Sequence, residues 1–202
     1  QLNMPQSVRS LCRVNNGLIL VTGKTGSGKS TTLAAMIDDI NAREKGHILT
    51  IEDPIEFVHQ RKGCLISQRE VGHHTPSFAH ALHSGLREDP NIILVGEMRD
   101  YETMSIAVTA AEMGILVMGT LHTNGAAPTV DRIVNAFPSD KQGHVRTMLS
   151  TSLRGVISQQ LILRADKRGR VAALEILVNT PAVSNLIRQG KLDQLENTMQ
   201  SG

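Results

Sequence analysis

Uncharged apolar runs alternate along the chain with stretches in which apolar side chains recur every three or four residues. The runs at residues 17–22, 47–51 and 91–96 are rich in β-branched side chains, which is typical of strands buried on both faces of a parallel sheet. Residues 64–68 and 115–121 predict two further strands. We therefore expect these runs to form a sheet in the interior of the protein.

Helices are predicted between the strands, because apolar positions there follow a helical period. They cover residues 31–37, 78–87 and 101–113, the last of these closed by Gly114, and a short helical stretch lies near residues 7–11. Strands joined through helices are typical of a mainly parallel, twisted sheet with helices on both faces. The predicted fold class is therefore α/β.

The pattern changes after Pro138. We predict a long helix, then a hairpin of two strands, then two closing helices. The long helix covers residues 142–160, the strands cover 161–163 and 171–178 with a turn at 166–170, and the last helices cover 181–190 and 192–199.

The segment between the first strand and the first helix carries the most specific motif of the chain. From Gly23 to Thr31 it reads Gly-Lys-Thr-Gly-Ser-Gly-Lys-Ser-Thr, with two glycines separated by four residues and followed by lysine and serine. Glycines let backbone N–H groups surround phosphate oxygens, and the helix N-terminus adds partial positive charge. The alternative is a glycine-rich turn that precedes a helix by chance, but both flanks fit the phosphate loop.

A phosphate loop predicts a nucleoside triphosphate with Mg²⁺ as ligand. Lys29 is expected to reach the β- and γ-phosphates, and the Ser30 hydroxyl to ligate Mg²⁺. The predicted nucleotide-binding residues are Thr25, Gly26, Ser27, Gly28, Lys29, Ser30 and Thr31.

Acidic side chains follow two of the predicted strands at the point where each strand ends. Glu52, Asp53 and Glu56 come after the second strand, and Glu97 follows the strand at 91–96. Ligands bind at the carboxyl ends of parallel strands, where such acids hold Mg²⁺ or take a proton from the attacking water. The residues leave open which acid does which, and Glu52 or Asp53 as a turn or capping carboxylate is an alternative.

Other polar side chains have two interpretations each. His122, at the end of the last sheet strand, contacts the γ-phosphate or is a structural histidine. Three arginines either stabilise transition-state charge or lie at the surface or a subunit contact: Arg69, Arg87 and Arg99. Four histidines form a group without supporting acids beside them in sequence, so a metal site is not favoured there: His73, His74, His80 and His83.

The amino-acid composition disfavours several classes of protein. The 202 residues carry a formal net charge of +2 and 2% aromatic side chains, which disfavours a protein that grips nucleic acid by charge and stacking. Cys12 and Cys64 lie far apart without neighbouring ligands, which disfavours a disulfide framework or zinc site and fits a reducing compartment. No apolar stretch approaches the ~18 residues of a membrane-spanning helix, so we expect no integral membrane segment.

Four ordered motifs resemble those of the type II/IV secretion ATPases, and most closely those of the type IV pilus retraction ATPases. The phosphate loop is similar to their Walker A motif, residues 48–59 to the Asp box, residues 93–100 to Walker B and residues 119–124 to the His box. The resemblance covers nearly the whole chain. It implies a RecA-like P-loop NTPase core that hydrolyses ATP with Mg²⁺.

The resemblance also implies residue roles and a setting. Glu56 would be the catalytic base, Glu97 would act with Mg²⁺, and His122 would link the nucleotide state to subunit contacts. The protein would be a cytoplasmic homohexamer, peripheral at the inner membrane through partners in the pilus machinery. Residues 1–14 would lead in from a preceding domain, and residues 15–202 would be the C-terminal, RecA-like ATPase domain of a longer protein that continues past residue 202.

The function implied is ATP-driven retraction of a type IV pilus, as in twitching motility. Four positions depart from the family pattern: Lys24 stands at the place of a proline, Ile115 at that of a first His-box histidine, Ser184 at that of an arginine tied to retraction, and His83 at that of another arginine. The alternatives are a related secretion or pilus-assembly ATPase, a RecA-like nucleic-acid translocase, and a monomeric nucleotide switch or small-molecule kinase.

Overall fold

The computed structural model describes residues 4–200. The first three residues of the predicted lead-in segment and the last two of the predicted ATPase domain lie outside the described residues. In chain order the helices and strands are α1 (Gln6–Leu11), β1 (Gly17–Thr22), α2 (Lys29–Arg43), β2 (His47–Glu52), β3 (Leu65–Glu70), α3 (Phe78–Gly85), β4 (Ile92–Val95), α4 (Tyr101–Glu112), β5 (Leu116–Leu121), α5 (Ala126–Ala136), α6 (Gln142–Ser152), β6 (Leu153–Leu163), β7 (Arg170–Val178), α7 (Pro181–Gln189) and α8 (Leu195–Gln200).

The strands form one seven-stranded sheet in the order β3-β2-β4-β5-β1-β6-β7. Every neighbouring pair is parallel except β6 and β7, which form the antiparallel hairpin at one edge. The parallel strands, the hairpin and the closing helices agree with the predicted α/β class.

Strand β1 lies inside the sheet, between β5 and β6, and is buried on both faces. Leu18 and Leu20 belong to one core cluster with side chains from α3 to α8. Ile19 and Val21 belong to the opposite cluster with side chains from α1 and α2. Successive side chains of a strand point to opposite faces, so this division shows that helices cover both sides of the sheet.

The predicted helix over residues 142–160 is wrong in its second half. Helix α6 ends at Ser152, and Leu153 begins the eleven-residue strand β6. The prediction extended the helix beyond Ser152 because the apolar residues continue at helical spacing. Val156 and Ile157 are β-branched, which favours a strand, and they pack on opposite faces of the sheet. Gly155, in the third position of β6, has no room for a side chain, because a Cβ there would lie 2.8 Å from the Leu11 side chain.

Helix α5 has no counterpart among the predicted elements. Its buried face consists of Ala126, Thr129, Val130, Ile133 and Val134. The spacing of these residues is helical, and a proline in the first turn is compatible with a helix start, so the signal was present in the sequence.

Asn41 fastens the irregular segment 53–64 to helix α2. Its side chain is fully buried; Nδ2 donates to the Gln60 carbonyl at 2.8 Å, and Oδ1 accepts from the Lys62 and Cys64 N–H groups at 3.2 Å each. One buried amide therefore satisfies three backbone groups of the segment that carries Glu56.

We expect Asn41→Ala to lower the free energy of unfolding by roughly 2–3 kcal/mol, because it leaves one buried and two partly buried backbone groups without their partner. Urea denaturation measures this change. Asp38→Ala is the control on the same helix: its exposed ion pair with Lys62, at 2.6 Å, is expected to contribute less than about 1 kcal/mol. Equal losses for the two variants would contradict this account.

Candidate active site

Four adjacent strands bring the predicted site residues to one edge of the sheet. Strand β2 ends at Glu52, and the carboxyl ends of β4, β5 and β1 are followed by Glu97, His122 and the phosphate loop, in that order. These residues line one cavity of about 470 Å³. Of the predicted site residues, its wall contains Thr25, Gly26, Gly28, Lys29, Ser30, Thr31, Glu52, Asp53, Glu56, Glu97, Arg99 and His122.

The phosphate loop turns from β1 into α2 through glycines that have no room for a side chain. Gly28 caps α2 with φ of 92°, and a Cβ there would lie 2.7 Å from Gln159 Nε2. A Cβ on Gly23 would lie 2.3 Å from the Gln159 carbonyl oxygen. The two glycines of the motif are therefore required by backbone conformation and by close packing against β6.

Ser27 differs from the other six predicted nucleotide-binding residues, because it does not line this cavity. It faces a second cavity of about 290 Å³ on the other side of the loop, and its side chain is buried. Its N–H donates to the Lys24 carbonyl at 3.0 Å. In this conformation the loop presents Gly26, Gly28 and the start of α2 to the first cavity, and not Ser27.

Lys29 begins a chain of polar contacts across the cavity. Its Nζ donates to the Gly23 carbonyl at 2.5 Å and to His122 Nδ1 at 2.8 Å. His122 Nε2 in turn lies 2.6 Å from Glu97 Oε1, and the Arg99 guanidinium bonds the other oxygen of Glu97. The chain joins the phosphate loop to the ends of β5 and β4.

These contacts indicate which atoms of Lys29, His122 and Glu97 carry a proton. The Lys29 ammonium has only donors, so Nδ1 of His122 accepts and Nε2 carries the hydrogen given to Glu97. The Arg99 hydrogen bond lowers the pKa of Glu97, with help from His122. Burial lowers the pKa of Lys29, and the charge of Glu97 partly opposes that shift. Glu97 is thus held as a carboxylate.

Glu56 has the opposite environment. Its side chain is exposed to the cavity and makes no hydrogen bond or ion pair with residues 4–200. Glu52 is more constrained, because its Oε2 accepts from Thr50 Oγ1 at 2.7 Å and from Gln68 Nε2 at 3.1 Å. Of the three glutamates at the cavity, Glu56 is the one with both oxygens available to a water molecule; Asp53, also in the wall, likewise has no hydrogen-bond partner among the described residues.

The donor set suits Mg²⁺. The Ser30 hydroxyl and the carboxylates of Glu52 and Glu97 line the cavity and supply the oxygen ligands that Mg²⁺ prefers. Within residues 4–200 no three His, Cys, Asp or Glu side chains form a ready metal cage. This pattern fits Mg²⁺ in a nucleotide site, which keeps water molecules and phosphate oxygens as ligands.

The other polar candidates separate by position. Of the three arginines, Arg99 lines the cavity, whereas Arg69 pairs with Glu88 and Arg87 is exposed away from it. Asp100, next to Arg99, caps helix α4 by accepting from the Thr103 N–H at 2.8 Å. The four grouped histidines, His73, His74, His80 and His83, form no metal site with described residues.

Gln159 is a site-related residue that the sequence prediction missed. It lies on β6, within the part assigned to a helix, and its buried amide contacts the phosphate loop from behind. A strand prediction for residues 153–163 would have placed Gln159 in the sheet, although not beside the phosphate loop.

This geometry defines a class of protein: a RecA-like α/β fold with a P-loop nucleotide site at the carboxyl ends of its parallel strands. The sequence profile of the family described as type II/IV secretion system protein matches residues 2–201. The chain belongs to this family. No helix within the described residues is long and apolar enough to cross a membrane.

Individual relatives are highly similar to the chain. It is 59% identical to a twitching motility protein of Neisseria gonorrhoeae and 57% identical to the type IV pilus retraction ATPase PilT of Pseudomonas aeruginosa, each over its full 202 residues. These matches span 54% and 58% of the relatives' own lengths. A crystal structure of the pilus retraction motor PilT with bound ADP has 55% identity and a TM-score of 0.95, and the match covers 99% of this chain and 58% of that one.

Proposed function

We propose that this chain is the ATP-hydrolysing core of a motor that retracts type IV pili. The observation that supports this most strongly is the cavity in which Lys29, Glu56, Glu97 and His122 meet the phosphate loop. The similarity to twitching motility and pilus retraction proteins supports the choice of task.

In the proposed reaction, loop N–H groups and Lys29 bind the triphosphate and neutralise charge on the γ-phosphate. Ser30 and Glu97 would hold Mg²⁺, which supplies further charge neutralisation when bound. Glu56 takes a proton from the attacking water. A γ-phosphate near Lys29 replaces His122 as a partner of Nζ, so His122 is suited to report whether that phosphate is present.

The proposed working form is a cytoplasmic homohexamer that acts at the inner membrane through proteins of the pilus machinery. ATP hydrolysis would be converted to motion by closure between subunits. Arg99 already neutralises Glu97, so an arginine that stabilises the transition state is expected to come from another part of the assembly.

A secretion or pilus-assembly ATPase is the second candidate, and Ser184 is the observation that favours it. In place of the arginine tied to retraction, its hydroxyl donates to the Ser150 carbonyl at 2.7 Å and contacts Asn179 Oδ1 at 2.9 Å. These contacts fasten α7 to the end of α6. If retraction needs the positive charge of an arginine at position 184, this chain lacks that charge.

The test is carried out with the full-length protein. We expect ATP hydrolysis that depends on Mg²⁺, no stimulation by DNA or RNA, and a larger particle with an ATP analogue than a monomer. Restoration of pilus-dependent motility in a strain lacking the gene supports retraction. Restoration of pilus assembly or secretion instead assigns the second candidate, and stimulation by nucleic acid assigns a translocase.

A further inference from the structure

Gln159 holds the phosphate loop from the side opposite the nucleotide cavity. Ser158 of β6 is in register with Thr22 of β1, so the next residue of β6 reaches the start of the loop. The Gln159 side chain is 5% exposed and uses both ends of its amide: Nε2 donates to the Ser27 carbonyl at 2.8 Å, and Oε1 accepts from Thr32 Oγ1 at 2.5 Å.

The bond to Ser27 fixes one peptide of the loop. In a trans peptide the C=O and the following N–H point in opposite directions. When Gln159 holds the Ser27 carbonyl on the β6 side, the N–H of Gly28 must point away from β6. Gly28 lines the nucleotide cavity on that other side.

This peptide needs an anchor because the backbone beside it is permissive. Gly26 and Gly28 have φ of 80° and 92°, a region that glycine leaves and enters without steric cost. If the Ser27–Gly28 peptide rotated, a carbonyl oxygen in place of an N–H would face the phosphates and repel them. The Thr32 hydroxyl, one turn into α2, donates to Oε1 of Gln159. This bond orients the Gln159 side-chain amide so that Nε2 faces the Ser27 carbonyl.

We infer that Gln159 is a positioning residue of the nucleotide site, whose amide orients the Gly28 N–H toward the bound polyphosphate. The inference rests on the proposed nucleotide function. It adds to the nucleotide site a residue that lies outside the four sequence motifs of the family. Gln159 does not touch the nucleotide itself and acts through the loop.

The test is the Kd for ATP with Mg²⁺, measured by titration of the full-length protein, together with the melting temperature without nucleotide. Gln159→Glu keeps the size of the side chain but turns a carboxylate oxygen toward the Ser27 carbonyl. We expect the Kd to rise about tenfold or more. A purely structural role would lower the melting temperature and leave the Kd of the folded protein unchanged.

Gln160→Glu is the matched control, with the same substitution one residue along the strand. Gln160 is exposed, and its Nε2 donates to Asn124 Oδ1 at 2.7 Å and not to the loop. The control accounts for the added negative charge, and its Kd is expected to change less than about threefold.

Thr32→Val keeps the inference testable if Gln159→Glu does not fold. It preserves shape at a half-buried position and removes the bond to Oε1, so we expect the Kd to rise about threefold. The role of Gln159 is refuted if wild type binds ATP and folded Gln159→Glu binds it equally well. If Gln159→Glu does not fold, the same result for Thr32→Val refutes the role. In both cases the proposed function stands. If wild type does not bind ATP, both fail.

Discussion

Lys29→Ala is expected to lower the rate of ATP hydrolysis by about a hundredfold, the equivalent of about 3 kcal/mol of transition-state stabilisation. The side chain is 9% exposed and reaches the cavity edge at which the phosphate loop meets β5. Its ammonium faces the position proposed for the γ-phosphate in a partly desolvated site, where a charge interacts more strongly than in water. Steady-state turnover in the full-length protein measures the loss.

Lys24→Ala is the control for this prediction, because it removes the same charge from the same loop. Lys24 is exposed and lines the second cavity, not the one that contains Glu56 and Glu97. We expect its turnover to stay within about threefold of wild type. Near-normal turnover of Lys29→Ala, or equal losses in the two variants, would refute the role of Lys29.

Folding must be checked for Lys29→Ala, since Nζ also bonds the Gly23 carbonyl and His122. Lys29→Arg retains the charge but carries a wider group into a space bounded by these two acceptors and the Leu121 carbonyl. A folded Lys29→Arg with low turnover supports a role that depends on the shape and position of the ammonium, and normal turnover argues against it.

The sequence predicted the site better than the fold of the C-terminal part. The phosphate loop, Glu97 and His122 each directly follow a strand with a strong apolar signal, and parallel strands bring such positions to one edge. Their convergence followed from topology alone. Local periodicity failed at β6, where helical spacing and a buried strand give the same short apolar pattern.

The error in β6 explains why Gln159 was missed. Its importance depends on the register of β6 with β1, which is a long-range contact that no local pattern reports. The tautomer of His122 and the ion pair of Glu97 with Arg99 depend in the same way on distances between strands. The sequence thus predicted which chemical groups lie at the site, whereas the structure shows what each group is bonded to.

Glu56→Gln is expected to retain ATP binding and lose hydrolysis, by about a hundredfold or more. A general base needs a free oxygen and a pKa that lets it accept a proton. Glu56 faces the cavity without a bonded partner among the described residues, whereas the pKa of Glu97 is lowered by Arg99 and both of its oxygens are engaged. These environments favour Glu56 as the base and Glu97 as a permanent charge near Mg²⁺.

Glu97→Gln is the matched variant. It makes the same change of charge at another residue that lines the same cavity. Because it weakens the proposed metal site, we expect its turnover to recover partly as the Mg²⁺ concentration is raised, whereas that of Glu56→Gln does not. Measuring ATP affinity and turnover over a range of Mg²⁺ concentrations separates the two roles. If Glu97→Gln binds ATP normally and cannot be rescued while Glu56→Gln still hydrolyses it, the assignments must be exchanged, and the engaged carboxylate has to leave Arg99 before each turnover.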